Sequence, residues 1–323
     1  MSEPSPPSQD GPSTFADGVR LAIGTLSVFP VRPGVIDRRA GGIAMTVAPL
    51  VGAVIGAVGG LVLAISLWLG TTPLPASVLA VAVMALLTRG LHLDGLADLA
   101  DGLGSGKPAD RALEIMKRSD IGPFGVVTLI LVLLVQVAAL QEAVTCAGAG
   151  AGALTLVAAC AAGRLALTWA CRAGIPPARP DGLGAMVAGT VRRSVALAVT
   201  ALVLAGTGVL VYLHGIGSLD LWSFGSPSEP SGGSGYVTYV DMTHSEDRDL
   251  LGVGTPGGGL ISGLGPFLIP VGLPLAMLVG LLAAWAVRRR AVRRLGGVTG
   301  DVLGALVEIA TATTLLACTI LVN

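Results

Sequence analysis

Apolar residues fall along this chain in blocks rather than in stripes. Runs with little or no charge cover about Ala44–Leu69, Ala76–Arg89, Phe124–Leu140, Ala151–Ala170, Val195–Leu213, Leu264–Val287 and Val302–Leu321. Most approach or exceed the ~20 residues that cross a bilayer as a helix. Near-continuous apolarity, without a polar face every 3.6 residues, marks helices surrounded by lipid and protein rather than by water. The pattern predicts an all-α polytopic transmembrane helix bundle of about seven spans, the second of them short.

Composition agrees. The 323 residues are 53% hydrophobic and 12% charged, against about a quarter charged in soluble domains, and mean hydropathy is +0.80. The 47 glycines suit helices that pack closely in lipid; they permit self-association, so a homo-oligomer is left open. Cys146, Cys160, Cys171 and Cys318 form no metal spacing and read as small apolar residues. The first stretch, "MSEPSPPSQDGPST", is neither a signal peptide nor a basic targeting segment. Residues 1–19 are expected as a disordered tail, and 20–323 as an integral membrane domain. Within it, 215–262, with "SPSEPSGGSG" and "DMTHSEDRD", reads as a flexible insert.

Charge adds orientation. Arg20, Arg32, Arg38 and Arg39 precede the first span. Arg89, Lys107, Arg111, Lys117 and Arg118 lie between the second and third, and Arg172, Arg179, Arg192 and Arg193 between the fourth and fifth. Arg288, Arg289, Arg290, Arg293 and Arg294 lie between the sixth and seventh. Alternate connections have no Lys or Arg, except the insert with Arg248. The positive-inside rule then puts the N-terminus in the cytoplasm, the insert outside and the chain across the cell's inner (plasma) membrane. No nucleic-acid partner is expected; lipid surrounds the spans.

The chemistry gathers in the cytoplasmic connections. "LHLDGLADLADGL", Leu91–Leu103, places Asp94, Asp98 and Asp101 on one face if it is helical. Like charges at that spacing repel, so either water or a cation offsets them. Oxygen ligands suit Mg²⁺, which takes one or two carboxylates plus substrate phosphates. His92 is a further candidate ligand or base, with an ordinary interfacial histidine as the alternative. "IMKRSDIGPFGV" brings Lys117, Arg118, Ser119 and Asp120; basic groups beside acids suit phosphoryl transfer, and they equally suit a positive-inside anchor. Arg164 lies inside an apolar run, where an arginine is either functional or paired with a carboxylate such as Asp98. Asp301 in "GGVTGDVLG" is either a helix N-terminal charge or a fourth metal carboxylate, and Glu308 follows two turns on.

These blocks resemble the cobalamin synthase family, the adenosylcobinamide-GDP ribazoletransferases. The matching segments are "FPVRP…DRRAGGIAMTVAPLVGAVIGA", "LHLDGLADLADGL", "EIMKRSDIGPFGV", "PPARPDGLGAMVAGTV" and "LGGVTGDVLGALVE". The insert and the proline-rich tail look like additions to that pattern. The resemblance implies an enzyme, a phosphotransferase of the EC 2.7.8 type. It would join adenosylcobinamide-GDP to α-ribazole, or its 5′-phosphate, with Mg²⁺, in the last steps of vitamin B12 synthesis. On it, Asp94, Asp98 and Asp101 are expected to hold the metal, and one of them or His92 to take the hydroxyl proton. Lys117 is expected at the reacting phosphates, and Arg111, Ser119, Arg164, Arg179, Gly182 and Asp301 at the substrates. Two other classes compete. A CDP-alcohol phosphotransferase also uses clustered aspartates, but its full motif is not present in "DGLADLADG". An ion-coupled transporter predicts charges near mid-span and an internal repeat; the sequence shows no clear repeat, and its acids cluster on one face of the membrane.

Overall fold

The computed structural model describes residues 11–32, 34–118, 120–215 and 265–321. The insert at 215–262 lies almost wholly outside them, as does Ser119. The described residues form ten helices: α1 (Phe15–Leu26), α2 (Arg38–Trp68), α3 (Pro73–Leu87), α4 (Leu91–Gly104), α5 (Ala109–Ile115), α6 (Pro123–Ala170), α7 (Gly182–Val187), α8 (Arg193–Gly215), α9 (Gly265–Leu295) and α10 (Gly300–Leu321). No strand occurs among them, only two isolated bridges, Arg172 with Val191 and Pro177 with Val298. The all-helical membrane class therefore holds. Five helices are long and apolar enough to cross a bilayer, or six if the bent pair α3–α4 makes one span.

The differences from the expected runs have physical causes. The runs at 124–140 and 151–170 belong to one stretch of helix, α6, of 48 residues. It reverses at Gly148, whose φ of 83° and ψ of 176° a side chain would resist. Gln136 and Arg164 line one small cavity, although 28 residues of straight helix would part them by about 42 Å. α6 is thus two antiparallel arms, 123–147 and 149–170. α3 has 15 residues. Arg89 and Gly90, both at positive φ (55° and 67°), end it and turn the chain 88° into α4. α4 therefore does not continue the line of α3. α9 carries Arg288–Arg294 inside its helix rather than in a loop.

α1 begins at Phe15, inside the stretch expected as tail. Its Thr14–Asp17 capping box closes the N-terminus. The Ser13 hydroxyl donates to Asp37 at 2.7 Å, and Asp37 in turn caps α2 by accepting from the Ala40 N–H at 2.7 Å. These bonds, the Ala40 one foremost, hold the Asp37 carboxyl below its usual range.

The core sits where α2, the second arm of α6 and α10 meet. Gly52, Gly56 and Gly60 form a stripe on α2 at four-residue spacing, pressed against Cys160, Val157 and Ala153. The absence of side chains there lets the two backbones approach, as small-residue stripes do in lipid. α10 is largely buried and takes the central place.

Candidate active site

Four segments converge at one end of the bundle. α4 crosses the first turns of α10 with glycine on both sides of the contact. A Cβ on Gly95 would lie 2.8 Å from the Asp301 carbonyl oxygen, and one on Gly304 would lie 3.2 Å from the His92 Cα. This close crossing brings the acids of α4 beside Asp301. The loop after α6 is tied to the turn before α10: the Ala178 N–H donates to the Val298 carbonyl and the Val298 N–H to that of Pro176, both at 3.0 Å. α7 is then pinned by Arg38 of α2, whose guanidinium donates to the carbonyls of Ala185 and Ala188 at 2.5 and 2.7 Å. Thr299 caps α10, accepting from the Val302 N–H and donating to Asp301, each at 3.2 Å.

Two cavities result, sharing Leu91 and Asp94. The first, about 330 Å³, is walled by His92, Asp94, Lys117, Arg179, Asp181, Gly182, Thr299 and Asp301 over an apolar floor of Leu26, Met45 and Leu167. The second, about 610 Å³, is walled by Arg89, Asp94, Asp98, Arg118, Asp120 and apolar neighbours. Both lie in the range of small-molecule sites.

The electrostatics are those of crowded acids. Burial, then the charges of Asp94, Asp301 and Asp101, push the Asp98 carboxyl up to about 7, against the pull of Arg179. Arg179 donates to the Leu113 carbonyl at 2.6 Å, while its Nε has no partner.

Asp101 departs from expectation. Its carboxylate accepts from the backbone N–H groups of Gly122 and Gly125 at 2.7 and 2.9 Å. It is bound to the N-terminus of α6, where unsatisfied donors and the helix dipole favour an anion. It lines neither cavity. Among the described residues no three His, Cys, Asp or Glu side chains are grouped closely enough to hold a metal ion. The donor set still suits Mg²⁺. Asp94 and Asp98 are one turn apart on α4, Asp301 faces them, all offer oxygen, and their mutual repulsion raises Asp98. Two carboxylates completed by substrate phosphates form the usual Mg²⁺ arrangement.

His92 is buried. Arg164 lies 3.4 Å from its Nδ1. A guanidinium only donates, so in that contact Nδ1 accepts and the proton of the neutral ring sits on Nε2, which has no partner. Arg164 itself stands behind the site, around a small cavity with Gln136 and Glu308. Gln136 donates to Glu308 at 2.8 Å. Arg111 is exposed, pairs with Glu114 at 2.8 Å and lines neither cavity. Of the expected residues, Asp94, His92, Lys117, Arg179, Gly182 and Asp301 thus gather in the first cavity, and Asp98 in the second. Asp101, Arg111 and Arg164 do not. Reading the sequence missed Asp181, one residue before Gly182 in a quoted motif. It also missed Arg89 and Thr25 of α1, which carry no motif.

An all-helical membrane protein with acids and bases converging on a cleft beside its buried helices is built for a polar, charged substrate. Comparison with known proteins narrows the class. A family model described as cobalamin-5-phosphate synthase matches residues 18–319. A Frankia casuarinae protein named adenosylcobinamide-GDP ribazoletransferase is 40% identical, with 92% of each chain covered. Proteins of the same name from a Nocardioides species (34% identical, covering 93% of this chain and 97% of the relative) and Corynebacterium efficiens (32%, 97% and 94%) also match. No solved structure matches. The chain belongs to the cobalamin-5-phosphate synthase family, whose named relatives are transferases of cobalamin synthesis.

Proposed function

We propose that the protein carries out the Mg²⁺-dependent transfer that joins adenosylcobinamide-GDP to α-ribazole or its 5′-phosphate. The products are adenosylcobalamin, or its 5′-phosphate, and GMP. The observation that carries this is the meeting of Asp94, Asp98 and Asp301 with Lys117 and Arg179 in a chain of this family.

In the reaction a ribazole hydroxyl attacks the diphosphate phosphorus nearer the cobinamide. The bond from that phosphorus to the bridging oxygen breaks, and GMP leaves with the oxygen. Asp94 and Asp98, with Asp301 beside them, would hold Mg²⁺, which when bound would supply neutralisation of phosphate charge. Lys117 and Arg179 stabilise the charge that grows on the phosphate oxygens. A carboxylate of this group that the metal leaves free takes the hydroxyl proton. His92, with its proton on Nε2, donates to a phosphate oxygen rather than accepting. Asp101 holds the N-terminus of α6 against α4, so it positions the acids without joining them.

The proposed topology has seven spans with the N-terminus in the cytoplasm: α2, α3, the two arms of α6, α8, α9 and α10. The reversal at Gly148 and the arginines at one end of the bundle support it. The cleft then opens to the cytoplasm, where nucleotides are, from the plasma membrane.

The test uses membranes containing the protein, given adenosylcobinamide-GDP, α-ribazole and Mg²⁺, with chromatography of cobalamin and GMP. Formation of both products, lost with Asp98→Asn and with chelator, is the expected result. Turnover of a CDP-alcohol donor instead would sink the substrate assignment while keeping the chemistry.

A further inference from the structure

A second charged cleft lies outside the site. An apolar cavity of about 470 Å³ opens between the second arm of α6, α8, α9 and α10, with Leu278 and Leu282 along one wall. Its mouth continues into a smaller space lined by Trp169, Arg172, Arg193, Trp285 and Arg288. The two share both tryptophans and Arg288, so they form one cleft, greasy inside and basic at the end.

Among the described residues no carboxylate pairs with the arginines there. The ion pairs among the described residues are Arg20–Asp17 and Arg111–Glu114, both elsewhere, and no carboxylate lines either part of the cleft. Arg288 is 6% exposed and donates to the Trp169 carbonyl at 3.2 Å. That bond caps the end of α6 but leaves the charge uncompensated. Three cations around one mouth repel unless an anion sits among them.

Depth decides what kind of anion. From Leu278 to Arg288 is ten residues, about 15 Å along α9. That is half of a hydrocarbon core about 30 Å thick, the reach of one acyl chain in one leaflet. Leu282 is 63% exposed and Trp285 47%, so the cleft is open on its lipid side. Tryptophans at the mouth suit the headgroup boundary. Basic pockets between transmembrane helices on the cytoplasmic side are known headgroup sites.

We propose that this cleft binds one anionic phospholipid of the arginine-bearing leaflet. An acyl chain lies along Leu278 and Leu282, and the phosphate sits among Arg172, Arg193 and Arg288. The site is separate from the transfer chemistry, and its test does not depend on turnover.

The full-length protein is purified in mild detergent, and retention of phosphatidylglycerol and phosphatidylcholine is titrated by native mass spectrometry. One phosphatidylglycerol is expected to bind at least about tenfold more tightly than phosphatidylcholine. Arg172→Gln with Arg193→Gln should weaken it about 25-fold, taking about fivefold per charge, and leave phosphatidylcholine unchanged. Leu282→Trp, which fills the apolar wall and spares the arginines, should weaken both lipids. Glycerol phosphate, which has the headgroup charge and no chain, should not displace the bound lipid at equal concentration. Equal affinity for the two lipids, unchanged phosphatidylglycerol binding in the arginine variant, or displacement by glycerol phosphate would each overturn the proposal. Should the arginine variant fail to fold, the Leu282→Trp and glycerol phosphate arms still decide it.

Discussion

Two clefts open at the same end of this bundle, and they handle charge in opposite ways. The acidic cleft mixes signs: Asp94, Asp98 and Asp301 face Lys117 and Arg179. Even so, burial first and then the neighbouring acids push Asp98 up to about 7. The arginine cleft has one sign only and an apolar interior. A site that must exchange ligands of changing charge needs both signs at hand. A site for one lasting ligand needs only the complement of that ligand. Under the two proposals, the difference separates a place for chemistry from a place for a bound lipid.

The sharpest way to break the comparison is to neutralise an acid. Asp98→Asn should lower kcat by about 10³-fold, the scale of losing a principal electrostatic contribution to catalysis. The same substitution should leave phosphatidylglycerol retention unchanged. Asp94→Asn should act mainly on the metal, raising the Mg²⁺ concentration needed for half-maximal rate at least about tenfold. Activity titrated against Mg²⁺ checks both. A normal kcat in Asp98→Asn would mean that the crowded acids are only a solvated helix end.

Next in size is the crossing of α4 and α10. Gly95→Ala would set a methyl 2.8 Å from the Asp301 carbonyl oxygen, so the helices must part. Overpacking of this kind costs about 1–3 kcal/mol, and small misplacements of reacting groups cost about 10²-fold in rate. Thermal melting together with kcat separates the two effects. Wild-type values of both would show that the close crossing does not set the acids.

Asp101 sharpens the comparison within α4 itself. Asp101→Ala frees two backbone donors at the start of α6. Each buried donor left unsatisfied costs about 1–3 kcal/mol, so the melting temperature should fall by several degrees. The Mg²⁺ requirement should stay at the wild-type value. A shifted Mg²⁺ requirement without loss of stability would return Asp101 to the metal.

Asp94, Asp98 and Asp101 also show what a sequence can and cannot say. Their shared face follows from helical spacing, and α4 forms as that spacing predicts. The split in their roles does not, because the partners of Asp101 are backbone N–H groups 21 and 24 residues away. Every residue carries such a group, so no motif announces them. The spans were legible because lipid demands long apolar runs. The reversal at Gly148 was legible only as a gap between two runs, rich in Gly and Ala. α1 escaped notice because it is short and carries no apolar run. Arg164 was visible as an anomaly in a span, but its contact with His92 depends on how α6 meets α4. The arginines of the second cleft looked like ordinary positive-inside residues, since orientation and ligand binding use the same side chains.

Acid titration gives a smaller effect with a definite sign. Asp98 is raised from its ordinary value near 3.8 to about 7, so the folded state binds this proton more tightly than the unfolded one. Stability from this group is complete below the unfolded value and is lost as pH rises through the folded one. Without divalent cation, the melting temperature should therefore decline between about pH 4 and pH 7, the two values that bound the window. Asp98→Asn should flatten that slope, and Mg²⁺ should oppose it in the wild-type protein. A slope that survives Asp98→Asn would assign it to another group.

The smallest effect belongs to Arg111, and it tests whether basic residues near the site count by position or by number. Arg111 and Arg179 carry the same charge. Arg179 faces Asp98 and Asp301 inside the cleft, whereas Arg111 pairs with Glu114 in water. Exposed pairs contribute about 0–1 kcal/mol, and Arg111 lines neither cavity. Arg111→Gln should leave kcat and KM within about twofold of wild type, because a screened charge loses most of its reach over a Debye length of about 8 Å. Arg179→Gln should raise KM for the GDP substrate and lower kcat together. If the two variants behaved alike, the cleft would be a diffuse basic field, and the placement of Arg179 between the acids would have no special consequence.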